Sequence, residues 1–394
     1  GFIEGRQRHE VFWQAWGRVR EKNRGRRATL AKAVTLYDDA GLADLAPNTF
    51  ELSDAPQTMT LNVIRQVVNT LANKMAKNKP LPKAITFRAG YAARRRARDL
   101  SDFFAGDLKN CGAFKTLAMV IRDALWAGTG MSVDFEEGDQ IIHSQILPWE
   151  VDVDPREAQH GKPRSMYITL WYDRDQLREL AHVWAGDITE EERKQLDEDI
   201  TRAENSLKDT VWDPGKDDLS DVIPVGLGIH LPSGPKAKDG RIVMGISSRL
   251  LMDQEYKRTR FPVNKLCFVE PIAGYFGDGV PHDIEGIYYG LLDMAMKWQE
   301  ANYMTPTGVV AVHENDTFNL ERIGNTNWQE ARFSGTIPPT FQTLPPADGS
   351  FLQGIEMVKK WCFDFSGLSQ MSAQSQKDPS LKSGKAIREM SDFE

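Results

Sequence analysis

Cysteine is scarce in this chain of 394 residues: Cys111, Cys267 and Cys362 are widely spaced and odd in number. That pattern fits neither a disulfide framework nor a zinc site, so three reduced, packed thiols in a reducing cytoplasm are expected. Long apolar runs are missing too. No stretch of about eighteen apolar residues occurs, so no helical membrane span is expected. Residues Gly1 to Arg6 lack the apolar centre of a signal peptide and an initiator Met, and the expectation is that they lie inside a longer gene product. Excess positive charge is also absent. The formal net charge of −7 argues against a tight grip on nucleic acid, whose affinity comes from Lys and Arg on phosphates. It leaves room for a weakly acidic wall past which DNA slides.

Catalytic signatures are equally sparse. Gly128-Thr129-Gly130 follows a helical pattern and precedes a strand pattern, the reverse of a dinucleotide loop, and reads as helix termination. Ser383-Gly384-Lys385-Ala386 lacks the upstream glycine and the hydroxyl of a phosphate loop, so the chain is not read as an ATP-hydrolysing motor. No Gly-x-Ser-x-Gly elbow occurs. His9, His143, His160, His182, His230, His282 and His313 are scattered, without ligand spacing. Glu150, Asp152 and Asp154 alternate along an extended segment, so they share one face and could hold Mg²⁺ or Ca²⁺. They lack an EF-hand's glycine and distal Glu, and read better as solvated surface. The expectation is no enzyme, no cofactor and no metal.

What is present is ordinary globular composition, 41% hydrophobic and 27% charged, at a length suited to two or three domains. The first third reads helical. Phe12, Trp13 and Trp16 sit beside a basic stretch (Arg18, Arg20, Lys22, Arg24, Arg26, Arg27) suited to a coat protein or DNA. Leu61, Ile64, Val67, Val68, Leu71 and Met75 recur at helical spacing. A helix over 92–109 carries Arg94, Arg95, Arg96 and Arg98, a run that usually pairs with nearby carboxylates or a neighbouring subunit. Phe114, Leu117, Ala118, Ile121 and Leu125 mark the next helix. Strands follow over 131–135 and 140–147 as a hairpin, then 166–172, 221–231, 241–247 and 264–270, with a charged helical region over 173–208. A glycine-rich corner or hinge, 274–281, leads to a helix from Asp283, the expected N-cap, to Met304. Short strands occupy 307–348, and a helix covers 350–365.

This order of elements resembles the phage portal proteins, the head-to-tail connectors, from about Asn62 to Glu394. Four phrases carry the resemblance. Ile121-Arg122-Asp123-Ala124-Leu125-Trp126-Ala127-Gly128-Thr129-Gly130 precedes a strand and Leu147-Pro148-Trp149-Glu150-Val151-Asp152-Val153-Asp154. Pro271-Ile272-Ala273-Gly274-Tyr275-Phe276-Gly277-Asp278-Gly279-Val280 leads into a long amphipathic helix. That helix runs into Thr305-Pro306-Thr307-Gly308-Val309-Val310. Phe365-Ser366-Gly367-Leu368-Ser369 opens a polar loop ending at Ser383-Gly384-Lys385-Ala386-Ile387.

The resemblance implies an α+β portal fold assembled as a ring, commonly a dodecamer. A wing would cover 1–280, helical over 1–130 and β-rich over 131–280. A stem helix over 281–304, a clip over 305–349 and a second stem helix over 350–366 would follow. A tunnel loop over 367–383 and the start of a returning wing helix over 384–394 would come next, and a crown is not among these residues. Ile284, Ile287, Tyr288, Leu291 and Leu292 would pack subunits together. Gln370, Gln374, Gln376, Lys377, Lys382 and Lys385 would face DNA, touching phosphate without holding it. Asn325, Asn327, Trp328 and Arg332 would bind the large terminase (the packaging ATPase) and the head–tail adaptors. The major capsid protein, tail proteins and double-stranded DNA complete the implied partners, at the portal vertex of a virion and with no membrane. A segment with too few apolar residues for its own core, set between two helices, also favours burial shared between copies. The alternatives are another virion structural protein, such as a minor capsid or tail-adaptor subunit, or a metal-dependent nuclease or hydrolase.

Overall fold

A computed structural model describes residues 2–38, 61–77, 79–87, 90–137, 140–185, 189–203, 211, 221–234, 237–304, 309–311, 317–318, 333–334, 340–342 and 349–367. The fold is mixed α+β. It divides into two units: Gly1–Asp38 with Val68–Asp283, and Asp39–Val67 with Ile284–Glu394.

In the first unit α1 (Phe2–Lys22) and α2 (Arg24–Asp38) open the chain. α3 (Val63–Lys77) spans the division, and α4 (Tyr91–Asn110) and α5 (Ala113–Ala127) follow. α5 ends where Gly128 takes the left-handed conformation at φ 83°, as the helix-stop reading required. The hairpin of β1 (Thr129–Glu137) and β2 (Gln140–Ile146) then pairs with β8 (Val263–Cys267), giving an antiparallel sheet ordered β2-β1-β8. A second antiparallel sheet is ordered β3-β4-β5-β6-β7: β3 (Val151–Val153), β4 (Ser165–Asp173), β5 (Val222–His230), β6 (Arg241–Gly245) and β7 (Leu250–Glu255). α6 (Arg174–Ala185) and α7 (Glu190–Arg202) form an antiparallel pair, with Arg178 reaching Thr201 and His182 reaching Asp197. A full capping box, Thr189 with Glu192, starts α7.

Strand period explains how the five-stranded sheet is covered. Odd positions of β5, Ile223 and Val225, join Leu177, Ala181, Leu196 and Ile200 of α6 and α7 in one core. On the other face, a Cβ at Gly226 would lie 2.7 Å from the Trp16 ring, and one at Gly228 2.7 Å from the Phe12 ring. The glycines therefore admit the aromatic rings of α1. Met131, Ile146, Val151, Val153, Met166, Ile168 and Val263 form a further core drawn from both sheets.

The glycine-rich segment 274–279 is a packed corner. A Cβ at Gly130 would meet the Val120 carbonyl oxygen at 1.9 Å, and one at Gly279 the Gly128 nitrogen at 2.7 Å. Gly277 N–H donates to Thr129 Oγ1 at 2.8 Å. Two glycine phrases far apart in sequence thus meet backbone to backbone, and the hinge half of the expectation gives way to the corner half.

α8 (Val280–Met304) begins three residues before the expected start. Asp283 is therefore not its N-cap. It lies in the first turn, where a carboxylate complements the helix dipole, and Pro281 is tolerated there because early N–H groups have no intrahelical acceptor.

In the second unit, β9 (Val309–Ala311) pairs antiparallel with β12 (Thr340–Gln342), and β10 (Thr317–Phe318) with β11 (Phe333–Ser334). The two pairs are nested in sequence between α8 and α9 (Gly349–Phe365).

Candidate functional site

Three places bear on function: the α8–α9 helices, the carboxylates of 150–154, and a cavity beside α5. On α8, Ile284, Tyr288, Leu291, Leu292 and Ala295 are buried and Ile287 is half-buried. On α9, Cys362 and Phe363 are buried, and burial pushes the Cys362 thiol up to about 11. Gly354 of α9 approaches α8 closely enough that a Cβ would lie 2.6 Å from Met294 Cε. Yet α9 leaves Phe351, Leu352, Met357, Trp361 and Phe365 exposed. Met357, Trp361 and Phe365 recur every fourth residue, so they form one line along a flank of the helix. The expected DNA-facing residues Gln370, Gln374, Gln376, Lys377, Lys382 and Lys385 lie outside the described residues, as do Asn325, Asn327, Trp328 and Arg332.

Glu150, Asp152 and Asp154 are not the solvated surface that their alternation suggested. Asp152 is fully buried, ion-paired with Arg27 and hydrogen-bonded by Asn23 Nδ2 at 3.2 Å. Lys22 meets Asp154 at 2.6 Å. Arg26 donates to the Val151 and Pro148 carbonyls, and its guanidinium lies 3.3 Å from the centre of the Phe276 ring. The basic stretch offered to coat protein or DNA thus spends Lys22, Arg26 and Arg27 inside its own chain. Glu150 turns toward Asp123 and accepts from Leu147 N–H at 2.9 Å; burial, reinforced by Asp123, pushes its carboxyl up to about 7. Burial also raises Asp123, against hydrogen bonds from Gln145 and Trp126 Nε1. Among the described residues, no group of three or more His, Cys, Asp or Glu is placed to hold a metal ion.

A cavity of about 260 Å³ lies between α5 and the three-stranded sheet, walled by Leu108, Phe114, Leu117, Val120 and Leu266. Its polar end holds Ser132, Asp134, His143 and Asn264. His143 Nδ1 lies 2.6 Å from Asp134 Oδ1, and Asn264 Nδ2 donates to Asp134 Oδ2 at 2.7 Å. Hairpin register sets Asp134 directly opposite His143. The carboxylate orients the imidazole, leaving Nε2 as an acceptor when Nδ1 carries the proton. Sequence reading treated His143 as isolated. The hairpin reading brought the two strands together, but strands ending at 135 and starting at 140 would pair 134 with 141; the observed pairing of Glu137 with Gln140 moves the partner to His143.

Arg94, Arg95, Arg96 and Arg98 are exposed on α4, a helix with no buried residue, and none has an ion pair among the described residues. No helix among the described residues is long and apolar enough to cross a membrane. No protein-family model matches the chain. A search of curated proteins also finds no significant match.

Proposed function

We propose that the chain is a subunit of a phage portal ring, a DNA conduit at the head vertex that docks the packaging ATPase and, later, the tail adaptors. One observation carries this reading. α8 runs out for about 37 Å at 1.5 Å per residue, the chain passes through two nested strand pairs, and α9 returns with Met357, Trp361 and Phe365 uncovered. A helix that packs one side on its own chain and leaves an apolar line on its flank is suited to a neighbour of the same kind. Repeated around an axis, such a head-to-tail contact closes into a ring. Covering each half-exposed side chain would contribute on the order of 1 kcal/mol, enough in sum to order an assembly.

The full reading draws on the order of elements, with the clip and tunnel loop assigned to 305–349 and 367–383. The test is mass photometry with negative-stain imaging of the purified chain. A ring with a central hole is expected, and Met357→Glu with Trp361→Glu should dissolve it. A monomer at every concentration would remove the proposal.

A further inference from the structure

A second exposed apolar surface lies on α4. Leu100, Phe103 and Phe104 are exposed along one flank of this 20-residue helix, and helical spacing puts Arg96 among them and Arg95 at their border. Upstream, Leu81, Ile85, Phe87 and Tyr91 are exposed as well, although Ala84 N–H is tied to Ser101 Oγ at 2.9 Å. Charge is segregated along the sequence around it. Residues 68–98 hold nine Lys and Arg and no Asp or Glu, in a chain whose net charge is −7.

The complement lies in the same unit, on other elements. Residues 173–221 hold sixteen Asp and Glu against seven Lys and Arg. Within them, the first turn of α7 carries Glu190 and Glu191 exposed without an ion pair among the described residues. Glu179 and the 75%-exposed Val183 share the outer face of α6. α6 and α7 cover the five-stranded sheet, whereas α4 lies beside α5 at the three-stranded sheet.

We propose that α4 of one copy docks on the α6–α7 pair of a second copy, with Leu100 and Phe103 against Val183 and Arg95 and Arg96 against Glu190 and Glu191 at the start of α7. The contact joins two different patches and therefore propagates head to tail. Opposite charge selects the partner and register, and apolar burial supplies most of the attraction. Phosphate alone would satisfy the arginines and leave the phenylalanines wet. This inference rests on the reading that copies associate, but it uses a different surface from the α9 flank.

The experiment measures assembly of the full chain against concentration, with circular dichroism to check folding. R95E/R96E should raise the half-assembly concentration about tenfold or more, a change of about 1.4 kcal/mol. E190R/E191R should do the same, and the combined four-residue reversal should recover assembly to within about threefold of the original chain. If the original chain never associates, this proposal and the ring both fall. If it associates and the folded reversals behave identically to it, or the combined reversal does not recover, only this contact falls. A loss of binding to a DNA duplex or to anionic vesicles in R95E/R96E, with assembly unchanged, would give the surface to those partners and overturn the proposal.

Discussion

Arg27 of α2 and Asp152 of β3 form an ion pair in which the side chains are 5% and 0% exposed. Arg27 also donates to the Arg20 carbonyl, and Asn23 Nδ2 bonds both Asp152 Oδ1 and the Val153 carbonyl. The break between α1 and α2 at Asn23 is thereby nailed to the edge strand of the large sheet. Removing one partner strands a buried charge, so Asp152→Ala or Arg27→Ala should each cost about 3–5 kcal/mol. Arg27→Met combined with Asp152→Leu should cost much less than the two single changes together. Urea unfolding of all the variants measures the difference.

Glu150 gives the fold a pH dependence of known sign. Its carboxyl is raised from 4.5 to about 7, mainly by burial. A raised folded value means that the neutral acid is favoured in the native state. The associated stability is fully present below pH 4.5 and is lost as pH rises through about 7, at most about 3 kcal/mol for a group this buried. Glu150→Gln keeps an acceptor for Leu147 N–H and should flatten stability across that window. Thermal unfolding from pH 4 to 8 tests this, and an unchanged slope would refute it.

The glycine corner predicts a graded series. Gly130→Ala puts a methyl group into the Val120 carbonyl, and Gly128→Ala adds a left-handed backbone to a clash with the Gly277 carbonyl. Each should cost more than about 2 kcal/mol, or prevent folding. Gly112→Ala, left-handed at φ 66° but with open space around it, should cost only about 1 kcal/mol. Denaturant midpoints rank the three.

Gly354 should behave differently, because only the mobile end of Met294 obstructs its Cβ. Gly354→Ala should be neutral or stabilising by up to about 1 kcal/mol through helix propensity. Gly354→Leu should destabilise by wedging α9 from α8, and Met294→Ala should partly relieve that loss. Unfolding measurements on the single and double variants test the pairing.

Local pattern carried much of the architecture. The β1–β2 hairpin, the helix over 113–127 ending at Gly128, and α9 all lie within a few residues of where periodicity and turn chemistry put them. β7 was not legible, because Leu250-Leu251-Met252-Asp253-Gln254-Glu255 does not alternate and owes its strand to pairing with β6 at the sheet edge. The carboxylates show the same division. Alternation read Glu150, Asp152 and Asp154 as one solvated face, but Glu150 turns toward Asp123, and Asp152 is taken from water by Asn23 and Arg27, more than 120 residues away. The arginines of α4 went the other way, since neighbouring carboxylates in sequence do not pair with them in space.

The missing side chains of β5 make α1 part of the sheet's own interior. With Gly226 and Gly228 bare on that face, Phe12 and Trp16 supply the bulk that larger strand residues would otherwise provide. Trimming the amino-terminal helix would therefore leave a slot in the sheet shaped for two aromatic rings spaced one helical turn apart. Such a slot fits the same helix from another molecule, without the high effective concentration of the tethered one, so a shortened chain should be rescued by a large excess of the excised peptide added in trans.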